Sequence, residues 1–227
     1  MSIENLTPKK GEIAFVWFNS YSGVALKTPT KTLLIDPAEV NPKTFRIVDA
    51  ILVTHEHGDH CDPNIIKDIY KRTNCLVIAD STSAKKLKDI VPSNKLFEAQ
   101  IGSEHRLNGI LIRAEPCRHP AATPVTYLIT TEDNVKVYHT ADSQPHPQMS
   151  QVGQRSPPDL VFVTVGAPAP GTSPQTGVEI VKMVRAKAAV PYHAPTSELK
   201  RFAHLLSEEL PEVRCILIEK GKLYNYP

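Results

Sequence analysis

Two successive blocks of short β-strands, each running into strand–loop–helix units, predict an α/β fold built as an αββα sandwich, two mixed β-sheets flanked by helices. Three observations carry this expectation. The chain opens on apolar or alternating runs broken by Gly23 and Pro29; apolar strands then alternate with helix-capping loops; and a hairpin near residue 133 starts the same progression again.

The first runs, residues 12–20, 22–27 and 31–35, suit a β-meander. Residues 49–54 (DAILVT) form a compact apolar strand. Asp62 and Pro63 then offer an N-cap followed by proline at the first helical position, so a helix is expected through about residue 70. A strand over 76–79 precedes a helix capped by Ser81 and running to about Ile90, and 109–115 returns to strand. Residues 125–131 and 135–140 read as a hairpin around Glu132, Asp133 and Asn134. A continuous apolar strand over 160–165 leads through a Pro/Gly-rich loop into a helix over 174–187, followed by a strand over 188–192. A helix over 197–209 and strands over 214–218 and 222–226 close the pattern.

No internal repeat, low-complexity tract or long polar linker interrupts the sequence, so residues 1–227 are read as a single domain. The net charge of +2 gives no basic excess, so nucleic acid is not implied as a partner. No apolar run is long enough to span a bilayer, and the N-terminal MSIENLTPKKGE lacks the charged-then-apolar order of a leader. A cytoplasmic protein with no membrane partner is expected; oligomeric state is not legible. The four cysteines, Cys61, Cys75, Cys117 and Cys215, form no Cys-x-x-Cys pair and read as reduced thiols.

The densest chemistry lies in His55-Glu56-His57-Gly58-Asp59-His60, placed between the strand DAILVT and the helix near Asp62. Three imidazoles and the Asp59 carboxylate within six positions are good ligands for borderline divalent ions, and Gly58 permits the tight turn that lets their side chains converge. A merely solvated polar loop accounts poorly for that density.

Residues 55–60 match in full the His-x-His-x-Asp-His signature of the metallo-β-lactamase superfamily, which the chain resembles. That family takes further ligands from the ends of later strands, where this chain carries His119 (PCRHP), Asp142 (HTADS) and His193 (VPYHA). The resemblance implies two divalent ions, zinc first, with manganese or iron as alternatives. One would take His55, His57 and His119, the other Asp59, His60 and His193, with Asp142 and a hydroxide bridging them. It also implies a hydrolase using that hydroxide, with Asp59 orienting it or carrying its proton to the leaving group as a catalytic residue. Asp36, in LLIDP, resembles the acid that holds a ligand histidine's other ring nitrogen; a strand-end cap is the alternative.

Residues 138–143 (YHTADS), the short length and VPYH resemble the branch of small hydrolases that includes ascorbate-6-phosphate lactonase. The expected substrate is a small, anionic ester, lactone or phosphoester, with a phosphorylated sugar-like lactone first. The alternatives are a phosphodiesterase or nuclease of the same fold, or a non-catalytic metal- or ligand-binding member. Ala141 and Ser143 flank Asp142 in place of the commoner Gly-Asp-Thr, but the carboxylate is kept. At 227 residues the inserted domain of nucleic-acid-cleaving members and a flavin domain are not expected.

Other candidates read as structural. His139 is expected to pack in the sheet, His105, His146 and His204 to lie at the surface or in packing, and Cys61 to be a buried packing thiol. Arg118 and Tyr192 adjoin ligands and are candidate anion contacts, although adjacency on a strand sends neighbours to opposite faces. The 166–175 loop, ending in Thr172-Ser173-Pro174, is either an anion site or a simple helix cap.

Overall fold

A computed structural model of the chain describes residues 3–227; of the N-terminal stretch read for a leader, Met1 and Ser2 lie outside it. The chain falls into two compact units. One comprises residues up to Gln100 with Ala121–Val125 and Lys220–Pro227, the other Ile101–Pro120 with Thr126–Glu219. Neither unit is a continuous stretch of sequence, which is why no linker is legible in the primary structure.

The first unit is built on a seven-stranded mixed sheet. Strands β1 (Ile13–Trp17), β2 (Val24–Lys27) and β3 (Thr32–Ile35) form the expected antiparallel meander. From β3 the sheet continues in parallel through β4 (Ala50–Val53), β5 (Leu76–Asp80) and β6 (Leu96–Ala99). Every residue of β2, β3 and β4 is buried, as a sheet covered on both faces requires.

Helix α1 (Pro63–Thr73) starts as its sequence predicts. Asp62 accepts from the backbone N–H groups of Asn64 and Ile65, and Pro63 occupies the first turn. Its Ile66 and Ile69 join Leu34, Ile51, Val53 and Val77 in the core. Helix α2 (Ser81–Leu87) corrects the expected cap and end: Asp80, not Ser81, accepts from Thr82 and Ser83, and the helix stops at Leu87 rather than Ile90.

In the second unit, strands β7 (Glu104–Leu107), β8 (Ile110–Pro116), β9 (Val125–Thr130), β10 (Lys136–His139), β11 (Leu160–Thr164), β12 (Ala188–Tyr192) and β13 (Arg214–Cys215) lie side by side in chain order. The first pairings are antiparallel hairpins, and β10 through β13 are parallel. The β7–β8 hairpin turns at Asn108-Gly109, both at positive φ, the usual chemistry of a two-residue hairpin loop. The strand expected over 214–218 is only two residues long. The last strand, β14 (Leu223–Tyr226), returns to pair with β1.

Three helices belong to the second unit: α3 (Pro147–Arg155), α4 (Pro174–Val184) and α5 (Thr196–Glu209). Helix α4 packs against β11, α3 and α5. Among the described residues, no helix is long and apolar enough to cross a membrane.

The α3–α4 contact is close because Gly153 has no side chain: a Cβ there would lie 2.4 Å from the Met183 carbonyl oxygen and 2.9 Å from the Val184 Cα. The obstacle is backbone, so a substitution must push the helices apart. Gly153→Ala is expected to destabilise the protein by about 1–3 kcal/mol, lowering Tm by roughly 3–10 °C in calorimetry. An unchanged Tm would contradict this packing.

Candidate functional site

Parallel strands deliver the candidate residues of the first unit. Asp36 follows β3, the motif His55–His60 follows β4, and Asp80 ends β5. All three positions therefore lie at the carboxyl ends of neighbouring parallel strands, where chain reversals gather side chains.

Asp36 organises this end of the sheet. It is fully buried, at φ 49°. Its Oδ1 accepts from the Thr54 backbone N–H at 2.8 Å. Its Oδ2 accepts from Ser22 Oγ and Thr54 Oγ1, each at 2.8 Å, and lies 2.8 Å from His60 Nδ1. A carboxylate accepts only, so a proton sits on His60 Nδ1, and in the neutral ring Nε2 carries the lone pair. Thr54 extends the same control to His55. Its hydroxyl proton goes to Asp36, so its oxygen accepts from His55 Nδ1 at 3.0 Å, again leaving Nε2 as the basic nitrogen.

The motif's imidazole rings cluster, with His55 and His57 centroids 4.7 Å apart and those of His55 and His60 3.9 Å apart. Asp59, half-buried, brings Oδ2 to 3.6 Å from His60 Nε2. The motif's backbone is held from outside: Glu56 Oε1 accepts from Ala122 N at 2.8 Å, and Lys86 donates to the Glu56 carbonyl. Cys61, the next residue, is a core thiol whose pKa burial pushes up to about 11, so it is neither thiolate nor nucleophile at neutral pH.

The second unit gathers the remaining three. Asp142 follows β10 and His193 follows β12, both strands lying parallel to β11 between them. Both residues are buried, and His193 Nε2 lies 3.4 Å from Asp142 Oδ1. Two left-handed residues make the turns, Ala141 at φ 48° and His193 itself at φ 55°. The Ala141 carbonyl is fixed by Thr164 Oγ1 at 2.5 Å and by Tyr192 Oη at 3.4 Å. His119, half-buried, follows β8. Its neighbour Arg118 is clamped to the Asp142 loop, donating its backbone N–H to Ser143 Oγ and accepting from Gln144 N, both at 2.9 Å.

The donor pairs fit a metal better than each other. Separations of 3.4 and 3.6 Å are too long for good N–H···O hydrogen bonds, yet they match the roughly 3.3 Å edge of a tetrahedron whose bonds are about 2.0–2.1 Å. Imidazole nitrogen with carboxylate oxygen is also the donor set that zinc, manganese and iron accept.

The neighbouring candidates resolve into supporting roles. Tyr192 is buried and engages His139 Nε2 at 3.2 Å, so it braces the Ala141 turn. His139 is buried in the sheet, His204 is exposed on α5 beside Glu208, and His146 stands at the N-cap of α3. The 166–175 loop ends in a reciprocal cap between Ser173 and Thr176. Ser22 and Thr54 escape the sequence reading. Thr54 adjoins the motif, a usable signal, whereas Ser22 meets His60 only through the fold.

A family model described as "Beta-lactamase superfamily domain" matches residues 18–194. A UPF0173 metal-dependent hydrolase of Caldivirga maquilingensis is 28% identical over 87% of this chain and 91% of its own length. A UPF0173 protein of Pyrococcus furiosus is 33% identical over 72% of this chain and 75% of its own. Among solved structures, Igni18, a metallo hydrolase of Ignicoccus hospitalis, superposes with a TM-score of 0.81 at 20% identity, over 95% of this chain and 99% of that one. The two mixed sheets with flanking helices are thus the metallo-β-lactamase fold, and the chain belongs to the metallo-β-lactamase superfamily as one of its metal-dependent hydrolases.

Proposed function

We propose that the chain uses two divalent ions, zinc first with manganese or iron as alternatives, to hydrolyse a small anionic ester, lactone or phosphoester. A sugar-like lactone, phosphorylated as in the ascorbate-6-phosphate lactonase branch, is the first choice. His55, His57 and His119 would hold one ion; Asp59, His60 and His193 would hold the other; Asp142 would be shared. The observation that carries this reading is the spacing of the imidazole–carboxylate pairs, 3.6 Å for His60 with Asp59 and 3.4 Å for His193 with Asp142. Covalent reach supports it: Ala122, held by Glu56, is only three residues from His119, a span of at most about 11 Å.

When bound, such a pair of ions lowers the pKa of water toward neutrality and polarises the bond to be cut. The chain's own residues do the rest. Asp36 and Thr54 present His60 and His55 in one tautomer and one orientation. Asp59, the most exposed carboxylate of the set, takes the proton of the attacking water and delivers it to the leaving oxygen. The buried Asp142 carboxylate contributes charge that balances the cations.

A panel of ester, lactone and phosphodiester substrates, assayed with and without chelator, tests the activity. Asp142→Ala should lose bound metal and at least about 100-fold in turnover, whereas His204→Ala, on an exposed helix face, should match the wild type. Equal activity in the two variants would defeat the ligand assignment. Asp36→Asn should weaken metal affinity by about 10–100-fold in a competitive chelator titration, through loss of its hold on His60. Unchanged affinity would remove Asp36 from the account.

A further inference from the structure

Strand β1 runs in the same direction as β3, because each is antiparallel to β2. The β1–β2 loop, residues 18–23, therefore emerges at the same end of the sheet as Asp36 and the His55–His60 motif. This loop is held more firmly than a surface turn requires. The side chain of Asn19, 2% exposed, accepts from Tyr21 N at 3.0 Å and Gly23 N at 2.8 Å while donating to the Ala38 carbonyl at 3.0 Å. Trp17 Nε1 donates to the Tyr21 carbonyl at 2.6 Å. Ser22 Oγ sits 2.8 Å from both Asp36 Oδ2 and His60 Nδ1. A Cβ on Gly23 would come within 2.5 Å of the Asn19 amide nitrogen, so only glycine closes the loop this tightly.

The loop holds up Tyr21, half-buried, whose hydroxyl donates to Glu39 Oε1 at 3.2 Å. Glu39 is exposed and, like Asp36, left-handed at φ 49°. Two strained non-glycine residues within four positions mark a segment whose shape is imposed. An exposed phenol–carboxylate hydrogen bond contributes little to stability, so stability does not explain this placement. The hydrogen bond to Glu39, then its charge, with burial and the charge of Asp59, push the Tyr21 phenol above its ordinary pKa. Tyr21 adjoins Ser22, whose Oγ lies 2.8 Å from His60 Nδ1, so the loop carries the pair at the motif's end of the sheet.

We propose that Tyr21 and Glu39 form a substrate-recognition pair at the end of the sheet that carries the His55–His60 motif, selecting a substrate that carries hydroxyl or other hydrogen-bond donors next to the bond being cut. The inference rests on the hydrolase reading above and specifies its substrate class. A phenol that donates its proton keeps the capacity to accept, and a carboxylate accepts from several donors. Both groups can accept, and Glu39 is negative. A hydroxylated carbon chain is therefore welcomed at this edge, while a phosphate is repelled and must point elsewhere.

Gluconate and hexanoate, carboxylates of equal chain length that differ only in their hydroxyls, provide the test. Their affinities for the zinc-loaded full chain are measured by calorimetry. Gluconate should bind the wild type about tenfold more tightly, the scale of one charge-assisted hydrogen bond. Tyr21→Phe should abolish that preference, and Glu39→Gln should reduce it by about threefold. The hexanoate affinity of each variant reports whether its site is still assembled. Equal wild-type affinities, including no measurable binding of either ligand, or a Tyr21→Phe variant that keeps the preference, would overturn the proposal. Failure of the hydrolase reading is seen separately, as absent metal uptake or turnover indifferent to chelator.

Discussion

The Asp36 carboxylate is the constraint on which the candidate site of the first unit depends. A buried carboxylate is costly unless its oxygens are satisfied, and here at least four donors converge on it: Thr54 N, Thr54 Oγ1, Ser22 Oγ and His60 Nδ1. Satisfying that one group fixes three others. It sets the His60 tautomer directly and the His55 tautomer through the Thr54 hydroxyl, and through Ser22 it anchors the β1–β2 loop. The polar network is buried and directional, so it specifies geometry in a way that apolar packing around it cannot.

The two units solve the same problem with similar means. Each uses a parallel run of buried strands whose carboxyl ends turn sharply, and each places non-glycine residues in the left-handed region beside its candidate site residues. Asp36, Ala141 and His193 all lie there, at φ 49°, 48° and 55°. Such conformations cost on the order of 1–3 kcal/mol each and persist only when neighbouring contacts over-determine them. The hydrogen bonds that Thr164 and Tyr192 donate to the Ala141 carbonyl, and that the Thr54 backbone N–H donates to Asp36, are those contacts. Strain is concentrated where side-chain direction matters.

Much of this was legible because the informative residues are adjacent or follow apolar strands. The His55–His60 motif is contiguous, and Asp142 and His193 each close a strand whose apolar run is plain. Asp36 was readable by resemblance, and its 2.8 Å contact with His60 Nδ1 shows the role. Local rules misassigned the start of α2, because Asp80 and Ser81 are both good caps and the tertiary contact of Thr123 with Asp80 favours the acid. The β7 strand and α3 are short and carry few apolar residues, so periodicity is silent about them. Ser22 and Asn19 act through partners distant in sequence, and no local pattern encodes such contacts. The substrate is the least legible feature, because the contiguous His55–His60 motif does not encode it.

The central claim is that imidazoles and carboxylates from separate stretches of the chain hold a pair of cations. Anomalous diffraction from crystals of the zinc-reconstituted full chain tests it most directly. The account predicts two peaks about 3.5–4 Å apart, one within bonding distance of His55, His57 and His119, the other of Asp59, His60 and His193, with Asp142 reaching both. A single peak, or peaks away from these seven side chains, would contradict it.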